Sequence, residues 1–585
     1  MSRRNFLPWL FTIIFCLFGL SLLLIVLLPF GTMKTLLNVL SRDGNLSLLR
    51  IDNAVVFRFL IGAFGLSLLG LAYLTGKHLW EMVIRFIRQM WRDFRKFFSF
   101  SNISRSEKGY LVSLSVVTIL AGINRLALME SPMLHDEAYT VVTYADSFFH
   151  ALTDYSMPNN HVFHTLLVNL SVRAFGLAPW SARLPAFLAG VLVIPGVYFL
   201  AKQIYDPWTG LFASVLVAFS PSLISYSTSA RGYTLVALFT LVIIILGIYV
   251  RKEKNLVAWG LIAIFSALGL YTVPVMLFPF GMLFVWLFLE NLAASPAPYS
   301  SKWEFIRYWL IAGFLTAFLT ILLYAPVLIY TGPQKLFANG FVAPLTWADL
   351  PDTWHARLID TWAEWTHGVP LAITIMLLAG WVSSLIFHRK LANIRVPLQL
   401  AALLWITFLL IAQRSNAWAK VWVFLLPLML IWSAAGIIGL MRNVHLKFLY
   451  GLSLASILTA VVLFVGGLST LRLIPEIHGL WSQRGDVENA VLFFKNSISD
   501  TDLIVVDWPD DASVWFYSLE YNLSNNHFDK RIPFTRAWVL VNPPDGQSID
   551  SVLADRGPDS PALDLASIKL IHEIGTRHIY QCPVK

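Results

Sequence analysis

The sequence predicts an α-helical polytopic membrane protein of about thirteen transmembrane helices, followed by a small C-terminal α/β domain. Three observations carry that class. Of 585 residues, 57% are hydrophobic and only 13% charged, whereas a soluble domain is about a quarter charged. Apolar stretches of roughly 17–25 residues, long enough to cross a hydrocarbon core, recur up to residue 470. Beyond Ser482 the composition changes, and polar and charged residues become common. The mean hydropathy of the whole chain is +0.67.

The expected spans are 6–30, 54–76, 109–127, 181–201, 209–225, 232–250, 256–273, 275–292, 308–330, 368–387, 397–412, 418–440 and 446–470. The run 6–30 follows Arg3-Arg4 but is too long for a signal-peptide core and lacks a small-residue cleavage site, so it reads as a retained span. Around Thr272-Val273-Pro274, two short spans and one broken helix are both open readings. The division is 1–108 for two spans and a basic helix, 109–475 for the main membrane domain, and 476–585 for the C-terminal α/β domain.

Orientation follows from Lys and Arg in short loops. With the N-terminus inside, the inner loops are 77–108, 251–254, 302–307, Arg389-Lys390 with Arg395, and 442–447, all of them basic. The alternate loops 31–53, 128–180, 226–231, 331–367 and 413–417 are poorer in clustered base. They lie outside, with the C-terminal domain, which implies a multi-pass protein of the plasma (inner) membrane. The net charge of +9 reports those inner loops and implies no nucleic-acid partner. Aromatic residues make up 14% and include 22 Trp, which suits membrane interfaces and sugar-facing surfaces. Cys16 lies in the first span and Cys582 near the chain end, so no disulfide between them is expected.

Within 79–98, Leu79, Val83, Ile84, Ile87, Met90, Trp91 and Phe94 recur at helical spacing among Arg85, Arg88, Arg92, Arg95 and Lys96. A basic amphipathic helix in the inner leaflet is the reading, ahead of a calmodulin-type target helix. In the C-terminal domain, 502–507, 537–542 and 568–574 read as strands, with helices at 486–496 and 512–521. The D-x-D of Asp500-Thr501-Asp502 reads as a turn rather than a nucleotide-sugar motif. The strand ending at Asp507 has no Gly-rich loop beside it.

Candidate chemistry begins with Asp136-Glu137, just after the span 109–127. An acidic pair in a loop is ordinarily solvated or caps a helix. Two carboxylates at a membrane edge, however, need water, a partner or a substrate, and suit acid–base work there. The same outer loop holds His135, Tyr139, Asn160, His161 and His164. A helix over 160–170 would put Asn160, His161 and His164 on one face near the acidic pair. Those histidines with a carboxylate could hold a divalent metal, but hydrogen-bonding loop histidines are the favoured reading, so no metal site and no cofactor is assigned. Arg231, with Tyr233 beside it, lies in the next outer loop, and Arg414 and Lys420 lie in and just after another. Arginine grips phosphate bidentately, so these three are the candidate phosphate ligands. Arg183 reads as a cap or a snorkelling residue.

The ordered set His135-Asp136-Glu137-Ala138-Tyr139, Asn159-Asn160-His161, Ala182-Arg183-Leu184-Pro185, Ser229-Ala230-Arg231-Gly232-Tyr233 and Lys420-Val421-Trp422 with Leu426-Pro427 resembles the bacterial membrane glycosyltransferases of the C superfamily (GT-C). These are relatives of protein O-mannosyltransferases, including the dolichyl-phosphate-mannose-protein type, and of the aminoarabinose transferase acting on lipid A. The resemblance covers roughly 109–470. It implies a GT-C fold, a polyprenyl-phosphate-linked sugar as donor, and a glycan, lipid or protein acceptor on the extracytoplasmic face. It also implies Asp136 as the catalytic base. This chain has Asn160-His161-Val162 where relatives often have His-Pro-Pro, lacks the Trp-Trp-Asp of oligosaccharyltransferases, and carries two extra N-terminal spans.

On this reading Asp136 takes the acceptor proton, Glu137 orients it or binds substrate, and Arg231, Arg414 and Lys420 neutralise the leaving phosphate. His135, Tyr139, Asn160, His161, His164 and Tyr233 are the expected substrate-binding residues. Membrane lipids are the remaining partners. A transporter or flippase of lipid-linked sugar is the alternative, and an assembly scaffold a third reading. Against the transporter, the charges sit in outer loops rather than at span centres, and no internal repeat is evident.

Overall fold

The structure, a computed structural model, describes residues 3–29, 31–32, 51–74, 77–98, 105–294, 298–337, 343–443, 485–558 and 563–585. Every expected span from 6–30 to 418–440 falls on a helix, and 446–470 lies outside the described residues. Among the described residues six helices are long and apolar enough to cross a membrane, or up to eight if each bent pair is one span. The thirteen expected spans are not counted out by these helices alone, and several of the apolar runs contain breaks. The run 209–225 is two helices, Pro207–Ala218 and Pro221–Ser227, bent by 66°. Pro221 lacks the N–H that would continue the ladder. The start of 418–440 is a 3-10 turn, Ala419–Trp422, before the helix Leu425–Asn443. Val273 is extended (φ −147°, ψ 132°) and separates the helix Leu256–Thr272 from the short turn Pro274–Met276 and the helix Leu277–Ala293.

The break after Ala218 frees backbone groups in an apolar interior, and Arg125 takes them up. Fully buried at the end of the helix Arg105–Leu126, it donates to the Ala218 carbonyl (2.9 Å) and to Ser227 Oγ (3.2 Å). The sequence offered no hint that the loop 331–367 holds a helix, Leu350–Thr366, bent by 113° from Leu371–Ile386. It braces the loop 413–417. Trp354 donates to the Ser415 carbonyl and Arg357 to Asn416 Oδ1, with the Arg357 guanidinium 3.3 Å above the Trp418 ring.

The basic helix is present as Lys77–Phe98. Its Asp93 caps the helix Leu256–Thr272 by accepting from Leu256 N–H (2.8 Å), and Phe86, Ile87, Met90, Trp91 and Phe94 remain exposed.

The C-terminal domain is a four-stranded mixed sheet in the order β1-β2-β4-β3, with β1 Asp502–Val506, β2 Arg536–Val541, β3 Lys569–Ile574 and β4 Arg577–Pro583. β1 and β2 are parallel, with Ile504 opposite Trp538. β4 runs antiparallel to both β2 and β3. The helices 485–497, Asp511–Glu520 and Ile549–Arg556 complete the domain. The three expected strands are present, and β4 is the addition. Asp502 is consumed structurally: it accepts from Ser499 N–H, Arg536 Nε and Trp538 Nε1.

The tightest helix contact joins Leu371–Ile386 to Leu425–Asn443 through glycines. A Cβ on Gly436 would lie 1.8 Å from the Gly380 carbonyl oxygen, and one on Gly380 2.4 Å from that of Ser433. Small residues allow such approach where lipid supplies no hydrophobic drive. Gly436→Val should destabilise the bundle by about 3 kcal/mol or more, because the clash is with backbone. A melting temperature in detergent unchanged from wild type would contradict this packing.

Candidate active site

Leu134 is extended (φ −77°, ψ 154°), and the chain then makes one helical turn, His135–Tyr139, with both carboxylates in its first turn. The positive end of a helix favours them there. A π-helical turn, Thr140–Tyr144, follows and closes with Ala145 N–H on the Thr140 carbonyl (3.0 Å). A short helix, Phe148–Thr153, comes next, and then the helix Val162–Phe175, close to the 160–170 expected.

The acidic pair divides. Glu137 points inward and is 1% exposed. Its Oε2 lies 2.9 Å from Arg183 Nε and its Oε1 3.2 Å from Arg183 Nη2, a bidentate fork. Ala230 N–H donates to the same Oε2 at 2.7 Å. Arg183 also donates to the carbonyls of Met129, Ser131 and Pro132. One buried ion pair thus ties the segment 129–132, the acidic turn, the helix Pro179–Ile204 and the loop before Arg231. Glu137 has no oxygen free for substrate, which corrects the expectation that it touches substrate. Arg183 neither snorkels nor caps.

Asp136 points outward, with its side chain 48% exposed. Lys420 Nζ lies 3.3 Å and Arg231 Nη2 3.7 Å from its Oδ2, and His135 Nδ1 lies 3.8 Å from its Oδ1. The His135 imidazolium, with Arg231 and Lys420, holds the Asp136 carboxyl far below the usual carboxylate range against the opposing effect of burial. Arg231 is 6% exposed and is aimed by its neighbours. It donates to Asn159 Oδ1, to Thr140 Oγ1 (3.3 Å) and to the Asp136 carbonyl (3.3 Å), beside the ring of Tyr233 at 5.8 Å.

The remaining expected residues separate into those at the cluster and those beneath it. His135 and Tyr139 stand beside Asp136, stacked at 5.8 Å. Tyr233 lies under Arg231, edge-on to His161 (4.9 Å) and Tyr226 (5.8 Å). Asn160, His161 and His164 are buried rather than displayed on a surface helix. Asn160 donates to the carbonyls of Ala151 and Asp154, and His161 Nδ1 accepts from Gly232 N–H at 2.9 Å. A Cβ on Gly232 would sit 2.5 Å from Thr272 and 3.2 Å from His164, so only glycine lets the arginine loop settle on the histidines. Arg414 turns away: its guanidinium lies 5.2 Å from the Trp347 ring centre, and it does not join Asp136. Among the described residues no three His, Cys, Asp or Glu side chains gather as a metal would need.

Sequence reasoning missed Asn159, Thr140 and Arg183. The adjacent asparagines give no sign of which faces Arg231. A signal for Arg183 was available, since an arginine two residues before Pro185 at the start of an apolar helix is costly without a partner.

A cavity of about 220 Å³ is lined by Pro221, Trp362, Trp365, Trp381, Leu426 and Met429 among other residues. It is apolar, and Pro221 begins the helix that leads to the Arg231 loop.

Residues 160–302 match the family described as dolichyl-phosphate-mannose-protein mannosyltransferase, over the segment that carries Arg183 and Arg231. The fold resembles the crystal structure of ArnT from Cupriavidus metallidurans in the apo state, at 13% identity and a TM-score of 0.51, covering 81% of this chain and 98% of that one. The same protein bound to undecaprenyl phosphate aligns at 12% identity with the same TM-score and coverage. No curated protein matches the chain. The superfamily resemblance read from the motifs is thus met both by a family match and by the fold.

Removing one partner of a buried ion pair leaves the other charge stranded, so Glu137→Gln should cost about 3–5 kcal/mol. A melting temperature within a degree or so of wild type would refute the keystone role. His135 provides a second check. Burial lowers its pKa, but the carboxylates of Asp136 and Asp511 outweigh burial and raise it to about 9. A raised folded pKa stabilises fully below the unfolded value of about 6.5, and the gain is lost as pH rises through the folded value. Wild type should therefore lose more melting temperature than His135→Gln between pH 6.5 and 9, and parallel curves would contradict the assignment.

Proposed function

We propose that this chain, a multi-pass membrane protein of the glycosyltransferase C superfamily, moves a sugar from a polyprenyl-phosphate donor to an acceptor on the extracytoplasmic face, with inversion, and that Asp136 is the general base. One observation carries the reading: a half-exposed carboxylate oxygen meets two cations from distant loops, Arg231 and Lys420. The two cations and one carboxylate leave one positive charge over, which suits a phosphodiester. The orientation rests on the loop charges, which put Asp136, Arg231 and Lys420 on the outer side.

The chemistry follows. The acceptor hydroxyl attacks the anomeric carbon, and Asp136 Oδ2 takes its proton. The bond from that carbon to the phosphate oxygen breaks, and its electron pair leaves with the polyprenyl phosphate. Arg231 and Lys420 neutralise the charge that grows there. A single displacement inverts the anomeric centre.

The depressed basicity of the resting Asp136 fits this sequence of events. Lys420 and Asp136 are both about half in water, so their pair is weak and exchangeable. A phosphate drawing Lys420 and Arg231 to itself would release Asp136 and raise its affinity for a proton. The base would then become competent only with donor bound. The apolar cavity lined by Pro221, Trp362 and Leu426 offers a place for part of an isoprenoid chain.

The acceptor is a glycan, lipid or protein reached from the same side. Transfer from a radiolabelled polyprenyl-phosphate-sugar pool should fall roughly 10²–10⁴-fold in Asp136→Asn, the usual contribution of a general base. Lys420→Met should weaken donor use while the protein stays folded. Transfer by Asp136→Asn at the wild-type rate would sink the mechanism.

A further inference from the structure

A line of charged groups runs from the C-terminal domain into the site. Asp511, in the first turn of the helix Asp511–Glu520, places Oδ1 3.1 Å from His135 Nε2. The other ring nitrogen, Nδ1, is 3.8 Å from Asp136 Oδ1. Tyr139 stacks on the imidazole, and the Trp508 ring lies edge-on to it with centroids 6.1 Å apart. Asp511 is itself held, since its Oδ1 accepts from Ala512 N–H (2.8 Å) and Arg556 Nη2 lies 3.5 Å from its Oδ2. The docking is anchored next to the acidic turn. Met133 N–H donates to the Tyr517 hydroxyl (2.9 Å), and Ser513 Oγ donates to the Met133 carbonyl (3.0 Å).

We propose that Asp511 is a positioning residue of the transfer reaction: from the C-terminal domain it keeps His135 cationic, and His135 then fixes Asp136 Oδ1 and leaves Oδ2 for the acceptor proton. This rests on the transferase reading above. The two oxygens of Asp136 are already divided, with Oδ1 on the histidine side and Oδ2 on the side of Lys420 and Arg231. Once phosphate draws those two cations away, His135 is the partner that remains. A neutral imidazole giving its Nε2–H to Asp511 would turn a lone pair on Nδ1 toward Asp136 and repel it, so the charge is essential.

The charged groups around His135 are Asp136 on its own turn, Asp511 on the docked helix, Arg556 behind Asp511, and Lys420 and Arg231 beyond Asp136. The carboxylates prevail over burial, which keeps the ring protonated through neutral pH. The C-terminal domain thus supplies part of the catalytic arrangement.

The test uses the full chain in lipid nanodiscs with the radiolabelled polyprenyl-phosphate-sugar pool. Histidine C2-hydrogen exchange read by mass spectrometry gives the titration midpoint of His135 independently of activity. Wild type should titrate near pH 9 and transfer at a steady rate from about pH 6 to 8. Asp511→Asn should bring the midpoint toward the ordinary 6.5 and lose roughly tenfold or more of the rate between about pH 6 and 8, with recovery at the acid end. Asp511→Glu should restore both. Tyr517→Phe loosens the same contact without removing charge, so any loss there should be uniform with pH.

A wild-type His135 midpoint near 6.5 would overturn the inference even if Asp511→Asn fails to fold. So would an Asp511→Asn profile parallel to wild type beside an inactive Asp136→Asn, and that result would leave the transferase reading standing. An Asp136→Asn protein as active as wild type would instead remove the base, and this inference with it, while the midpoint still reported the Asp511–His135 link.

Discussion

The buried fork between Glu137 and Arg183 is the constraint on which the site depends. A carboxylate and a guanidinium removed from water are tolerated only if every lone pair and proton finds a partner. Here they do: Arg183 also gathers three backbone carbonyls, and Glu137 also accepts from Ala230. Because Ala230 immediately precedes Arg231, the register that satisfies Glu137 also delivers Arg231 to Asp136. Neighbouring acidic residues thereby take opposite duties. One is spent on geometry in the interior, and the other is left half in water beside two cations.

The same logic recurs in the layers around the fork. Gly232 settles on His161 and His164, and Asn160 ties down the loop that brings Asn159 to Arg231. The helix Leu350–Thr366 clamps the segment leading to Lys420. Buried polar groups hold the backbone so that a few exposed ones can meet, which is the division of labour a preorganised site requires. The C-terminal domain extends this support to the acidic turn through Asp511 and Tyr517.

Much of the fold was legible because apolar length and loop charge are local properties. Runs such as 232–250 and 308–330 could only be membrane-length helices, and the unbroken apolar run within 502–507 read as a buried strand. The breaks were less legible. Pro221 marks one, but whether a chain bends there or continues depends on Arg125, a residue 96 positions earlier, taking up the freed carbonyl.

By itself the sequence marked a multi-pass membrane protein and singled out an acidic turn, an arginine loop and the Lys420 segment, and its ordered motifs pointed to the glycosyltransferase C superfamily. Residue type was enough, since carboxylates and guanidinium groups at membrane edges have few other uses. Only the tertiary structure decided which member of each pair does what: Asp136 outward and Glu137 inward, Asn159 rather than Asn160 on the arginine, Lys420 rather than Arg414 at the cluster. Adjacent residues of the same chemistry are equivalent in a sequence. They differ only in what lies opposite them, and those partners come from loops dozens to hundreds of residues away.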